Sequence, residues 1–108
     1  KTLSWGDLGE AQKYNLLDSV KLLGAVRADC TLDLVDIVEF RSPTLMGQYK
    51  SGRLLIAARL LSDRDETLAT LVHEFSHREG GDGEKNHVMA IENLWRDIVK
   101  SLRAGAAS

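Results

Sequence analysis

The sequence predicts a single α+β domain over residues 1–108, with helices packed on one face of a small three-stranded antiparallel sheet. Three observations carry this expectation. Apolar residues recur at helical spacing in three separate segments. Between the first and second lie three short runs rich in branched apolar residues, divided by turn chemistry. A chain of 108 residues with 44% hydrophobic content is also long enough to bury one core without disulfides or a structural metal.

From Asp7 to about Ala28, Leu16, Leu17, Val20 and Leu23 follow a helical period, and past Gly9 the only strong breaker is Gly24, so a first helix is expected here. The runs "VDIVEF" (35–40), "TLMGQY" (44–49) and "RLLIAARL" (53–60) are separated by "RSP" and "KSG" and read as the sheet. Asp33, Asp36 and Glu39 recur every third residue, which leaves a helix over 31–40 as the alternative. The Val and Ile content favours a strand. Ser62 and Asp63 precede Asp65 and Glu66, the arrangement of a capping box, and a second helix should start there. Its apolar stripe is Leu68, Leu71, Val72 and Phe75, and the glycines of "REGGDGE" end it near Arg78 or Glu79. After that glycine turn, a last helix from about Glu84 to Leu102 carries Val88, Ile91, Trp95, Ile98 and Leu102 on one face. The tail "RAGAAS" is expected to fray.

Composition narrows the function. A net charge of −2 with no block of Lys or Arg gives no field for direct nucleic acid binding. No apolar run approaches the ~20 residues of a membrane span. Cys30 is the only cysteine, which excludes an internal disulfide and a multi-cysteine zinc site and fits a reducing, cytoplasmic setting; it reads as a small buried apolar group. The first residue is Lys1 and not Met, as expected of a domain excised from a longer protein with flanking domains. Trp5 and Trp95 are the large anchors. Arg53, Arg59, Arg64 and Arg78 are expected to be solvated, with Arg78 near enough to the next motif to meet a substrate carboxylate.

The chemistry is concentrated in "LVHEFSHREGGDGEKNH", residues 71–87, which holds all three histidines of the chain. His73 and His77 lie four apart, hence about 40° apart around a helix and one turn along it, so both imidazoles can face one point. Glu74 lies about 100° round from His73, where it can hold a polarised water. "HEFSH" therefore matches H-E-x-x-H, and a catalytic zinc needs a third protein ligand. His87 is the leading candidate, because Gly80, Gly81 and Gly83 let the chain reverse and return the start of the last helix to the end of the previous one. The carboxylates Glu92, Asp82, Glu84 and Glu79 are the alternatives. Glu92 lies five residues after His87, about 140° round the helix, and suits orienting a ligand better than sharing an ion with His87. Two histidines four apart also occur as solvated neighbours. The capped helix, the tight turn and the returning histidine weigh against that.

The order "GQYKSGRLLIAARLL", an acidic spacer, "TLATLVHEFSH", a glycine turn and a histidine opening a final helix resembles the SprT-like and WLM group of minimal zinc metallopeptidases, over roughly residues 44–100. Val88, Ala90 and Ile91 stand where that group often has a bulky aromatic residue. The glycine-rich "HEFSHREGGDG" is also similar to the C-terminal ends of some larger bacterial ATP-binding proteins. The resemblance implies a zincin-like fold with His73, His77 and His87 holding one Zn²⁺ per chain and Glu74 as general base. It implies an intracellular endopeptidase acting on polypeptide substrates, which a strand edge of "TLMGQY" or "RLLIAARL" would hold. Tyr49 is expected to be a packed strand residue, with donation to an oxyanion as its other role. Two competing readings are a catalytically inactive zincin-like module that docks or regulates a partner, and a helical domain with coincidental histidines.

Overall fold

A computed structural model of the chain describes residues 1–80 and 84–107, without the side chains of residues 79, 80, 84, 85, 106 and 107. The architecture is α+β. The first helix, α1, runs Glu10–Gly24, shorter at both ends than its periodic pattern, and opens where the Gly9 amide donates to Gln12 Oε1 at 2.9 Å. Leu16 and Leu23 are buried in the core, whereas Leu17 is exposed.

The sheet departs from the expected three antiparallel strands. It has four: β1 (Thr2–Leu3), β2 (Val35–Val38), β3 (Gly47–Lys50) and β4 (Arg53–Ala57), in the order β1-β2-β4-β3. β1 pairs antiparallel with β2, β2 runs parallel to β4, and β3 pairs antiparallel with β4. The cause is the path of residues 39–46. They carry the chain past the position of β4 to the outer edge, and the hairpin then returns β4 inside it, beside β2. The hairpin turn has Ser51 at φ 52° and Gly52 at φ 78°, the two left-handed residues of a type I′ turn, whose twist matches the flanking strands. The helical alternative for 31–40 survives only as a 3₁₀ turn at Leu32–Leu34. The strand in "TLMGQY" starts at Gly47, and "RLLIAARL" splits into β4 and a 3₁₀ turn at Ala58–Ser62 that buries Leu60 and Leu61.

The second helix, α2 (Arg64–Gly80), begins where expected, with Asp63 Oδ1 accepting the Glu66 amide at 3.0 Å. Leu71, Val72 and Phe75 are buried, and Leu68 packs on the cluster from its margin. The last helix, α3 (Glu84–Ala107), extends beyond Leu102. Its buried row is Ala90, Leu94 and Ile98, of which only Ile98 belongs to the expected stripe: Val88 and Leu102 are exposed, and Ile91 and Trp95 are half-buried. The apolar band on α3 is wider than its contact with the other helices, so its outer side meets solvent. The expected glycine turn, with Gly81, Asp82 and Gly83, lies outside the described residues.

One core joins Leu16 and Leu23 of α1, Leu54 and Ile56 of β4, Leu71 and Phe75 of α2, and Leu94 and Ile98 of α3. The register Gly47↔Ile56 and Tyr49↔Leu54 places Gly47 and Tyr49 on the same sheet face as Leu54 and Ile56, the face that α2 covers. Edge strand β3 is thereby set against the histidine-bearing helix.

Several surface expectations change. Trp5 is 40% exposed with Lys13 Nζ 5.9 Å from its ring, so it is no core anchor, whereas Trp95 packs against the core from its margin. The arginines are exposed but engaged: Arg53 holds Asp36 through two bonds of 2.6 and 2.9 Å, Arg64 holds Asp18 at 3.1 Å, and Arg59 donates to the Leu45 carbonyl at 2.9 Å. Such exposed pairs contribute little stability each. Cys30 is buried as expected, and desolvation pushes its thiol up to about 11. Among the described residues no helix is long and apolar enough to cross a membrane.

Candidate metal centre

The helical period of α2 and the return of α3 bring all three histidines of the chain together. The ligand atoms of His73, His77 and His87 lie within 4.8 Å of one another. The His73 and His77 ring centroids are 5.5 Å apart and nearly perpendicular, as one helical turn between them allows. His87, in the first turns of α3, sits 4.9 Å from the His73 ring and 3.9 Å from the His77 ring. Its Nε2 lies 3.3 Å from the His73 carbonyl oxygen, which also accepts the Ser76 hydroxyl. This contact ties the start of α3 to α2 even without an ion.

The electrostatics suit metal ligation. Burial, reinforced by the His87 charge, holds the His73 imidazole below its ordinary value, and burial with His87 and His73 does the same for His77. Both rings are therefore neutral near pH 7, the state in which imidazole donates a lone pair to a cation. His73 is exposed and His77 and His87 are half-buried, so one side of the cluster remains open to solvent. Three imidazoles whose ring nitrogens converge, with one side open to solvent, could hold a metal ion.

Glu74 is buried at 8% exposure, beside the histidines and not among them. Its Oε1 lies 3.9 Å from His77 Nε2, and the Tyr49 backbone amide is near enough to its carboxylate to favour the charged form. Burial raises its pKa above the ordinary value, outweighing the His87 charge and the Tyr49 amide, which both lower it. A carboxyl group raised in this way holds a proton more readily than an exposed glutamate, which favours a role in proton transfer. The same shift predicts a stability effect. A raised folded pKa contributes stability that is fully present below the ordinary 4.5 and is lost as pH rises through the folded value. Metal-free Glu74→Gln should therefore be at least as stable as the parent at pH 7 and lose that advantage below about pH 4.5. Urea unfolding at the two pH values checks this; a variant less stable than the parent at pH 7 contradicts it.

The other expected residues fall elsewhere. Glu92 is exposed on α3 and is not part of the cluster. Asp82 and the side chains of Glu79 and Glu84 lie outside the described residues. Arg78 pairs with Asp29 at 3.4 Å and lies over the Phe75 ring at 5.4 Å, so it is engaged with the fold and not held toward the site. Tyr49 is half-buried, as a packed strand residue should be, with its ring stacked on His77 at 6.3 Å.

Two features were not apparent in the sequence. A cleft of about 380 Å³ runs between residues 44–47 and the middle of α2, lined by Leu45, Met46, Gly47, Thr70, His73 and Glu74 among others. Gly47 also lies so close to α2 that a Cβ there would meet Thr70 Cγ2 at 2.8 Å and Glu74 Cγ at 3.0 Å. The only signal in the sequence was a glycine inside a strand pattern, which marks a close backbone approach. The chain matches no family profile, no curated protein and no solved structure.

Proposed function

We propose that the chain is a zincin-like, zinc-dependent metallopeptidase domain of the SprT-like type, hydrolysing peptide bonds in intracellular polypeptides. The observation that carries this reading is the convergence of His73, His77 and His87 within 4.8 Å, with the buried Glu74 carboxylate directly beside them.

His73, His77 and His87 would hold the ion, each as a neutral imidazole. A bound zinc supplies Lewis acidity, lowering the pKa of water from about 15.7 towards about 7. Glu74 accepts the proton released as water attacks the peptide carbonyl, and its raised pKa lets it pass that proton on to the leaving amine. The Tyr49 amide fixes the carboxylate during both transfers.

β3 supplies the substrate platform. It is an edge strand, and in its register with β4 the Gly47 backbone groups and the Tyr49 carbonyl point away from β4 and are left for a substrate, since Met46 accepts the Ala57 amide at 2.9 Å and bonded pairs alternate. An extended polypeptide can pair along such an edge with little demand on its sequence. The cleft between residues 44–47 and α2 includes His73 and Glu74 in its lining, and its other walls, among them Leu45, Met46 and Ala69, suit an uncharged side chain.

The test is hydrolysis of an unfolded protein by the zinc-loaded chain, set against Glu74→Gln. Zinc retained at one per chain with no turnover by the parent would favour a docking module instead.

A further inference from the structure

We propose that Gly47 is the positioning residue of this site: by presenting no side chain, it lets Glu74 lie under the edge of β3 and take the Tyr49 amide as its hydrogen-bond donor. The inference rests on the peptidase reading only for its effect on turnover.

Gly47 and Tyr49 share the sheet face that looks onto α2, and both amides point away from β4. The Tyr49 amide would face solvent on an unpaired edge. Instead the Glu74 side chain comes up from the helix against β3, its Oε2 3.2 Å from where a Cβ of residue 47 would stand, near enough for the Tyr49 amide to favour its charged form. That approach requires the β3 backbone and α2 to be nearly in contact at residue 47. A Cβ there would stand 2.8 Å from Thr70 Cγ2, 3.0 Å from Glu74 Cγ and 3.2 Å from Glu74 Oε2. None of these yields easily. Thr70 Cγ2 and Glu74 Cγ each sit one bond beyond Cβ, so either atom moves away only by a change of χ1 rotamer. Either Glu74 turns away or β3 lifts off, and both separate the carboxylate from the Tyr49 amide. The φ of Gly47 is not in the left-handed region, so the need for glycine here is one of space and not of backbone conformation.

The test is amide hydrogen exchange of the chain, followed at Tyr49 in the parent, Gly47→Ala and Glu74→Ala. Tyr49 should exchange about tenfold faster in both variants than in the parent, while amides of the buried α2 core keep their protection. Unchanged Tyr49 exchange in Glu74→Ala overturns the proposal even if Gly47→Ala fails to fold. In the zinc-loaded proteins, Gly47→Ala should lower kcat on unfolded protein by about 100-fold, with KM and zinc content retained, as a small misplacement of a reacting group does. A Gly47→Ala chain that turns over like the parent overturns the proposal. If Tyr49 exchange accelerates in both variants and even the parent hydrolyses nothing, the positioning by Gly47 stands and the peptidase reading falls.

Discussion

Zinc-loaded Glu74→Gln is expected to lose hydrolysis of an unfolded protein by at least about 10²–10⁴-fold, the contribution of a general base, while its zinc content is unchanged. Glutamine has nearly the same shape as glutamate and can still accept the Tyr49 amide through Oε1, so the backbone of β3 and the three imidazoles should stay in place. What it cannot do is take a proton. The loss should therefore appear in kcat, with KM close to that of the parent. A Glu74→Gln chain that turns over like the parent would remove Glu74 from the chemistry and leave the buried carboxylate without a role.

The second large effect is structural. Phe75 is fully buried between Glu74 and Ser76, and its ring also carries the Arg78 guanidinium at 5.4 Å. Phe75→Ala removes that ring and leaves a cavity, costing about 3–5 kcal/mol. Against the roughly 5–15 kcal/mol that holds a domain folded, this is a large share, and Tm should fall by more than about 12 °C. Because Phe75 lies on the core side of α2, the histidines of any chain that remains folded should still come together. Thermal unfolding of the metal-free variant measures the first effect. A shift of only a few degrees would mean that the core can close around the missing ring.

How much of this was legible in the sequence depends on how local each feature is. The helices were visible because burying one face leaves a 3.6-residue period, as in Leu71, Val72 and Phe75. The start of α2 was visible because the Asp63 cap acts over three residues. The histidine pair follows from the helix alone, and His87 was reachable because few residues could serve as the third donor. The strand order was not visible. Nothing within β2 or β4 encodes their parallel pairing, which follows from the route of residues 39–46, and a two-residue strand such as β1 leaves too short a pattern to read. The row on α3 shifted from Val88 and Leu102 to Ala90 and Leu94, because the apolar band is broader than the surface it meets. Gly47 and the Tyr49 amide act through backbone proximity across a sheet and a helix, and residue type alone does not report that.

In the proposed centre one ion would be held by His73 and His77 together with His87 from the next helix. A competition titration of zinc into the metal-free parent and His87→Ala tests it most directly. The parent should bind one zinc per chain, and the variant should bind more weakly by more than the roughly 10- to 100-fold that loss of an outer hydrogen-bond partner costs. A His87→Ala chain that holds zinc as tightly as the parent would remove His87 from the ligand set, and a parent that holds none would leave the three imidazoles without an ion to share.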